Sequence, residues 1–185
     1  MQVSERTKLE MAAKAAGMSD FLRMEYLERC LQTSRDPTIL KFCYFELAKL
    51  YEARVMYADA IKYLNKLQAL VSFGTDKLKL YEKEIELLMK SGNYERVGEV
   101  YRSALKVASS EVESMNLRRK IVKLYQLEAQ KFESAHKHLA LLKVYERLIP
   151  LLTDNDRNET KKKLFVVYQK LGKVKESIAL ENSMR

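Results

Sequence analysis

The chain has 185 residues, enough to bury a core without disulfide or metal staples, and only five Gly and two Pro interrupt a composition rich in helix formers. Its longest apolar stretches, such as Leu139 to Leu142, fall far short of the roughly 20 residues of a bilayer-spanning helix, so no membrane span is expected. The net charge of +9 is unevenly placed: residues 111–185 carry 16 Lys and Arg against 10 Asp and Glu, which points to an acidic partner near the C-terminal half.

In chain order, the segment MQVSERTKLE has no apolar centre and carries acids. It fits neither a secretory signal nor a mitochondrial presequence, and the expected compartment is the cytoplasm. Apolar residues then recur at spacings of three and four, as in Leu47, Leu50 and Tyr51 or Leu139, Leu142, Tyr145, Leu148 and Ile149, each set marking one buried helical stripe. The pattern predicts helices near 4–16, 19–33, 38–53, 57–71, 76–91, 94–108, 111–130, 133–149, 159–171 and 173–183. Asp36 before Pro37 reads as an N-cap followed by Pro at the first helical position, and Ser110 with Glu113 has the spacing of a capping box. Phe73, Gly74, Thr75 and Asp76 read as a connector. Pro150 should end or kink its helix, and the polar stretch after it, TDNDRN, reads as a loop.

Self-similarity runs through the chain. A small residue early in each second helix gives Ala60, Val97, Ala135 and Ser177; a bulky residue late in each first helix gives Tyr51, Leu88, Tyr125 and Tyr168. Both ladders climb in steps of 37 or 38 and then a longer last one of 42 or 43, so 185 residues make about five helix pairs, with units near 4–35, 36–73, 74–109, 110–152 and 156–185 of a single domain, 1–185. One pair alone cannot bury both its faces, whereas stacked pairs share a core and leave one long wall exposed.

Catalytic or metal-binding constellations are not evident. Cys30 and Cys43 match no metal-ligand spacing and read as reduced, partly buried thiols. His136 and His138, two apart on a predicted helix, would point to different sides and could not share a metal. A calcium loop starting at Asp154 would need Gly where Glu159 stands and a bidentate Glu where Phe165 stands. The glycines are scattered singly, which suits turns rather than a phosphate cradle. No cofactor is expected, and the chain is not expected to be an enzyme.

The residues Tyr44, Leu47, Ala48, Tyr51, Ala60, Leu64 and Leu67 in one unit, and Tyr81, Glu84, Ile85, Leu88, Val97, Tyr101 and Ala104 with the turn SGNYE in the next, resemble the tetratricopeptide repeat (TPR) family. So do Leu164, Phe165, Tyr168, the turn LGKVKE, Ser177 and Ile178 near the end. The period is longer than the family's usual one, and Val97 and Ser177 stand where Ala is usual. The resemblance implies an all-α fold, a right-handed superhelical solenoid of antiparallel helix pairs, in which the first helix of each pair lines a groove. It places Phe42, Phe45, Lys49 and Glu52, then Lys79, Glu82, Glu86 and Met89, then Asn116, Arg119, Lys123 and Gln126, then Glu159, Lys162, Val166 and Gln169 on that surface, with Lys83, Lys120 and Lys163 adjoining. One end of the groove is then apolar and aromatic and the other basic. The carboxylate clamp that some family members use is not matched, because Phe45 stands where its Lys would be and Lys49 where its Asn would be.

The expected function is a protein–protein interaction scaffold that binds a protein or peptide of acidic character in this groove, with self-association also compatible. The reading from another class is RNA binding through the basic C-terminal half. Against nucleic acid stand the lack of a base code recurring from unit to unit and the acids Glu82 and Glu86 in the same groove.

Overall fold

The computed structural model describes residues 10, 14, 16–72 and 74–184. Among them the chain is all-helical: α1 is Asp20–Thr33, α2 Pro37–Ala53, α3 Tyr57–Leu70, α4 Thr75–Lys90, α5 Tyr94–Leu105, α6 Glu111–Ser134, α7 His138–Leu148, α8 Asp154–Lys170 and α9 Val174–Asn182. A short 3-10 turn, Ile149–Leu151, follows α7 and contains Pro150, where the helix was expected to stop. The helix predicted at 4–16 falls mostly, and Phe73 wholly, outside the described residues. The chain divides into two compact units, Met1–Ser91 and Gly92–Arg185.

In the first unit each helix from α1 to α4 packs against the next. Its core gathers Leu27 and Cys30 from α1, Leu47 and Leu50 from α2, Ile61, Leu64 and Leu67 from α3, and Ile85 and Leu88 from α4. In the second unit α6 through α9 pack in the same sequential way, and α5 packs on α7. That core is built from Leu117, Ile121, Tyr125, Leu142, Tyr145, Leu148, Leu164 and Tyr168, among others. The caps expected at two helix starts are present. The Asp36 carboxylate accepts from Thr38 N–H at 2.8 Å, and Ser110 Oγ accepts from Glu113 N–H at 3.2 Å while Glu113 reaches back to Ser109 N–H at 2.7 Å.

Four tight turns carry the repeat, and they share one backbone conformation. The residue after the first helix, Arg54, Ser91, Ala135 or Leu171, has φ near −90° and ψ near 0°. The next, Val55, Gly92, His136 or Gly172, is left-handed, with φ of 63°, 72°, 53° and 68°. The third, Met56, Asn93, Lys137 or Lys173, returns to φ between −88° and −83° with ψ of 65° to 71°, and the second helix follows. In three of the turns the third residue's N–H donates at 2.9 Å to a carbonyl five residues back, that of Tyr51, Phe132 or Tyr168. This is the Schellman arrangement, which satisfies carbonyls the helix end would otherwise leave without a donor. The fourth residue of each second helix, Ala60, Val97, Leu141 or Ser177, is buried.

Two expectations are corrected here. Ala135, taken as the small residue inside a second helix, is exposed and caps α6; Leu141 occupies that place. The cause is the length of α6, 24 residues against 17 for α2 and for α8. Seven extra residues make almost two whole turns at 3.6 per turn, so Tyr125 and Phe132 share a face and apolar phase alone cannot choose between them. The second correction is TDNDRN, which is not a loop. Thr153 is the N-cap, and Asp154 through Asn158 form the first turns of α8, where Asp154 and Asp156 lie favourably in the positive end of the helix dipole. These turns are exposed apart from the half-buried Arg157, so no apolar periodicity marks them as helix.

Candidate functional site: the α2–α4 groove

On α2, Phe42, Phe45, Lys49 and Glu52 follow the three-and-four spacing that brings side chains to one face, and on α4 Lys79, Lys83 and Glu86 do the same. The two faces flank a groove of about 560 Å³ whose apolar lining is Phe42 and Phe45 from α2, Leu67 from α3, Val71 just beyond it, and Leu80 from α4. Thr38, Lys41, Asp76 and Lys79 complete the lining. Phe42 is only 8% exposed and is therefore floor and core rather than a projecting anchor, while Phe45 is 46% exposed on the wall. Lys49 Nζ lies 5.1 Å from the Phe45 ring centroid and 3.1 Å from Glu46 Oε1. Lys79 is exposed, with Nζ 3.7 Å from Asp76 Oδ1.

Farther along the same two helices, Glu52 is held by Lys83 and Lys90, each with Nζ 2.8 Å from a carboxylate oxygen. Lys83 also lies 3.5 Å from Glu86. Desolvation alone would raise the Glu52 carboxyl, but the hydrogen bonds from Lys83 and Lys90 outweigh it and hold the group below its usual value. The same bond to Glu52 raises Lys90 against its own partial burial. Lys83 is therefore engaged within the protein and is not a free groove cation. Met89, expected on the open surface, is buried at 3% exposure and belongs to the core.

In the second unit Arg119, Lys123, Lys162, Lys163 and Val166 are exposed and Lys120 is half-buried. Counting back from the turn after α6, the residues equivalent to Phe42, Phe45, Lys49 and Glu52 are Lys123, Gln126, Gln130 and Glu133; Asn116 lies on the extra stretch, 111–117, and Arg119 is equivalent to Thr38. A pocket of about 280 Å³ there is lined by Gln126, Gln130, Glu133, Tyr145, Asp156, Glu159 and Lys163, with Ala129, Leu148 and Thr160. It carries three carboxylates and one ammonium, so the basic residues expected at this end do not converge in it. Arg118 faces the protein instead, donating from Nε to the Leu151 carbonyl at 2.8 Å.

Several polar residues that looked eligible for chemistry hold the fold. Tyr51 and Tyr63, stacked with ring centroids 5.4 Å apart, both donate to Glu28 at 3.1 and 3.0 Å. Tyr168 donates to Glu146 at 3.0 Å, and Tyr145 to Glu133. Tyr51 to Glu28 and Tyr168 to Glu146 are the same link in two units, from a first helix back to the second helix of the pair before it. Glu84, 2% exposed, accepts from Gln68 Nε2 at 2.9 Å, and the Asn65 amide, with its nitrogen turned toward the carboxylate, donates to both oxygens at 3.1 Å. Cys30 and Cys43 are buried and not joined by a disulfide, and burial together with the neighbouring Cys30 thiol pushes Cys43 up to about 12. The His136 and His138 rings are nearer than two helical residues would be, with centroids 6.4 Å apart, because His136 sits in the turn. Among the described residues no group of three or more His, Cys, Asp or Glu side chains is placed to hold a metal ion.

Thr38, Lys41, Leu67, Val71, Asp76 and Leu80 complete the groove and are not among the residues the sequence pointed to. Helical phase places a residue on a face, but only the packing of α2, α3 and α4 shows which faces meet.

Among the described residues no helix is long and apolar enough to cross a membrane. No family model matches the chain, and no curated protein matches it. Among solved structures, BtubC (BKLC) from P. vanneervenii is similar at 18% identity over 89% of this chain and 70% of that one, with a TM-score of 0.37. The nearly identical TPR-like repeats of a P. anserina protein assigned as a kinesin light chain are similar at 16% identity over 95% of this chain and 90% of that one, with a TM-score of 0.43. The all-α helix–turn–helix architecture is that of the chain's own helices and turns.

Proposed function

We propose that this chain is a protein-interaction module and that the α2–α4 groove grips a segment of another protein. The observation that carries the reading is the groove itself. An apolar concavity of about 560 Å³ with a half-exposed aromatic on its wall has the size and character of a binding site. The TPR-like residue pattern supports it, since first helices are the surface through which that family works. The cytoplasmic setting and the absence of enzymatic activity belong to the same reading.

The test is site-specific photo-crosslinking. A benzophenone side chain introduced at position 45 of the full chain should capture a discrete protein from a lysate of the source cells. The same group at position 175, exposed on α9, should not. Equal capture at both positions, or capture of nucleic acid at either, would remove the groove from the reading.

A further inference from the structure

Resting on that reading of the groove, we infer that its occupant is an internal acidic segment: a bulky apolar side chain seated on the floor, with carboxylates close to it in sequence. The argument begins with what surrounds the apolar floor. Lys41 stands on the α2 side and Lys79 on the α4 side, and both line the groove. Lys49, one turn beyond Phe45, holds its ammonium against the exposed ring. The groove's own lining has a single carboxylate, Asp76. Its contact with Lys79 joins two side chains that are 73% and 82% exposed, and a pair so fully in water is worth little and readily exchanged. Lys49 likewise has Glu46, but Glu46 is shared with Arg23.

A basic segment would bring like charge onto Lys41 and Lys79. A neutral one would cover apolar surface and leave the ammonium groups unanswered. An acidic one satisfies both, since rim charges favour the complementary partner and repel the wrong one. The floor offers no polar side chain for a chain-terminal carboxylate, because Phe42, Leu67, Val71 and Leu80 occupy it. The anchor must therefore be apolar and the acids must sit at the rim, which an internal segment provides. The pocket in the second unit supplies an internal contrast, as Glu133, Asp156 and Glu159 would repel the same segment.

The experiment selects displayed random peptides on the full chain and then measures the enriched ones, as synthetic peptides, against the chain, Phe45→Ala and the double variant Lys41→Glu with Lys79→Glu. Matching thermal melts establish that the variants are folded. The expected consensus is an aromatic or large aliphatic residue with Asp or Glu beside it. Phe45→Ala and the double charge reversal should each weaken binding by about tenfold or more, and added salt should weaken the unchanged chain. Peptides that depend on Phe45 but carry Lys or Arg around the anchor, or that bind the charge-reversed variant equally well, overturn the acidic class and leave the groove standing. Enrichment indifferent to Phe45→Ala, or none, overturns the groove as well. Binding through a second copy of this chain would appear as peptide competition with a dimer in sedimentation, and overturns the proposal too.

Discussion

Two of the four turns place a residue with a side chain where the backbone is left-handed. Gly92 and Gly172 meet that geometry without cost, whereas a β-branched residue such as Val55 is crowded there, at about 1–2 kcal/mol for an L-residue. Val55 is 66% exposed, so little packing repays it. Val55→Gly should therefore raise stability by about 1 kcal/mol after the greater freedom of glycine in the unfolded chain is subtracted. Gly172→Val should lower it by a similar amount. Urea unfolding of the two variants checks the pair, and a lower midpoint for Val55→Gly would mean that the turn is not strained. The same residues explain what the sequence made legible. Gly92 and Gly172 announced their turns by identity, and the turn at Val55 was bracketed by apolar stripes on either side. The turn at His136 has neither a glycine nor an apolar break, and it lies about four residues beyond the place the apolar spacing predicts.

Among helices, α2 and α4 are joined through Glu52, near the C-terminal end of α2, and Lys83 and Lys90, at the middle and end of α4. Glu52 is depressed on folding, so its contribution is present above the unfolded carboxyl value of 4.5 and is lost as pH falls through the lower folded value. Lys90 is raised, so its share is present below 10.5 and fades as pH rises through the folded value. Glu52→Gln should cost about 1 kcal/mol near neutrality, because two ammonium groups then face each other across a neutral amide, and it should flatten the acid limb of the stability profile. Denaturant melts from pH 3 to 7 test this; an acid limb unchanged in the variant would assign the loss to other carboxylates. The helices themselves were readable from their stripes, and their caps from Asp36, Pro37 and Ser110. The length of α6 was not, because an addition of nearly two whole turns leaves the phase of Ile121, Tyr125 and Phe132 intact. For the candidate site, Phe45 and Lys79 line the groove and Lys49 stands against the Phe45 ring, but the floor residues Leu67 and Val71 come from a second helix and its end, which no reading of first helices would include.

Across the molecule, burial and then neighbouring carboxylates hold tyrosines in their neutral form. Tyr168 is pushed up to about 12, Tyr94 likewise, and Tyr125 by burial; Tyr63 and Tyr145 are raised too. Their unfolded counterparts ionise near 10, so the unfolded state sheds protons first and stability should fall between about pH 10 and pH 12. Circular dichroism at 222 nm and tyrosinate absorbance near 295 nm should then change together. Full tyrosinate absorbance at pH 10.5 with helix content unchanged would show the phenols to be open to water. The hydrogen bonds that tie these phenols to Glu28, Glu146 and Glu133 also have an optical consequence. The chain contains no tryptophan, so its intrinsic emission is that of tyrosine, and a phenol donating to a carboxylate is quenched. Unfolding should therefore make the protein brighter, while an occupant of the α2–α4 groove, whose lining includes no tyrosine, should leave the emission unchanged, so that loss of fold can be read in the presence of a non-fluorescent ligand without a label.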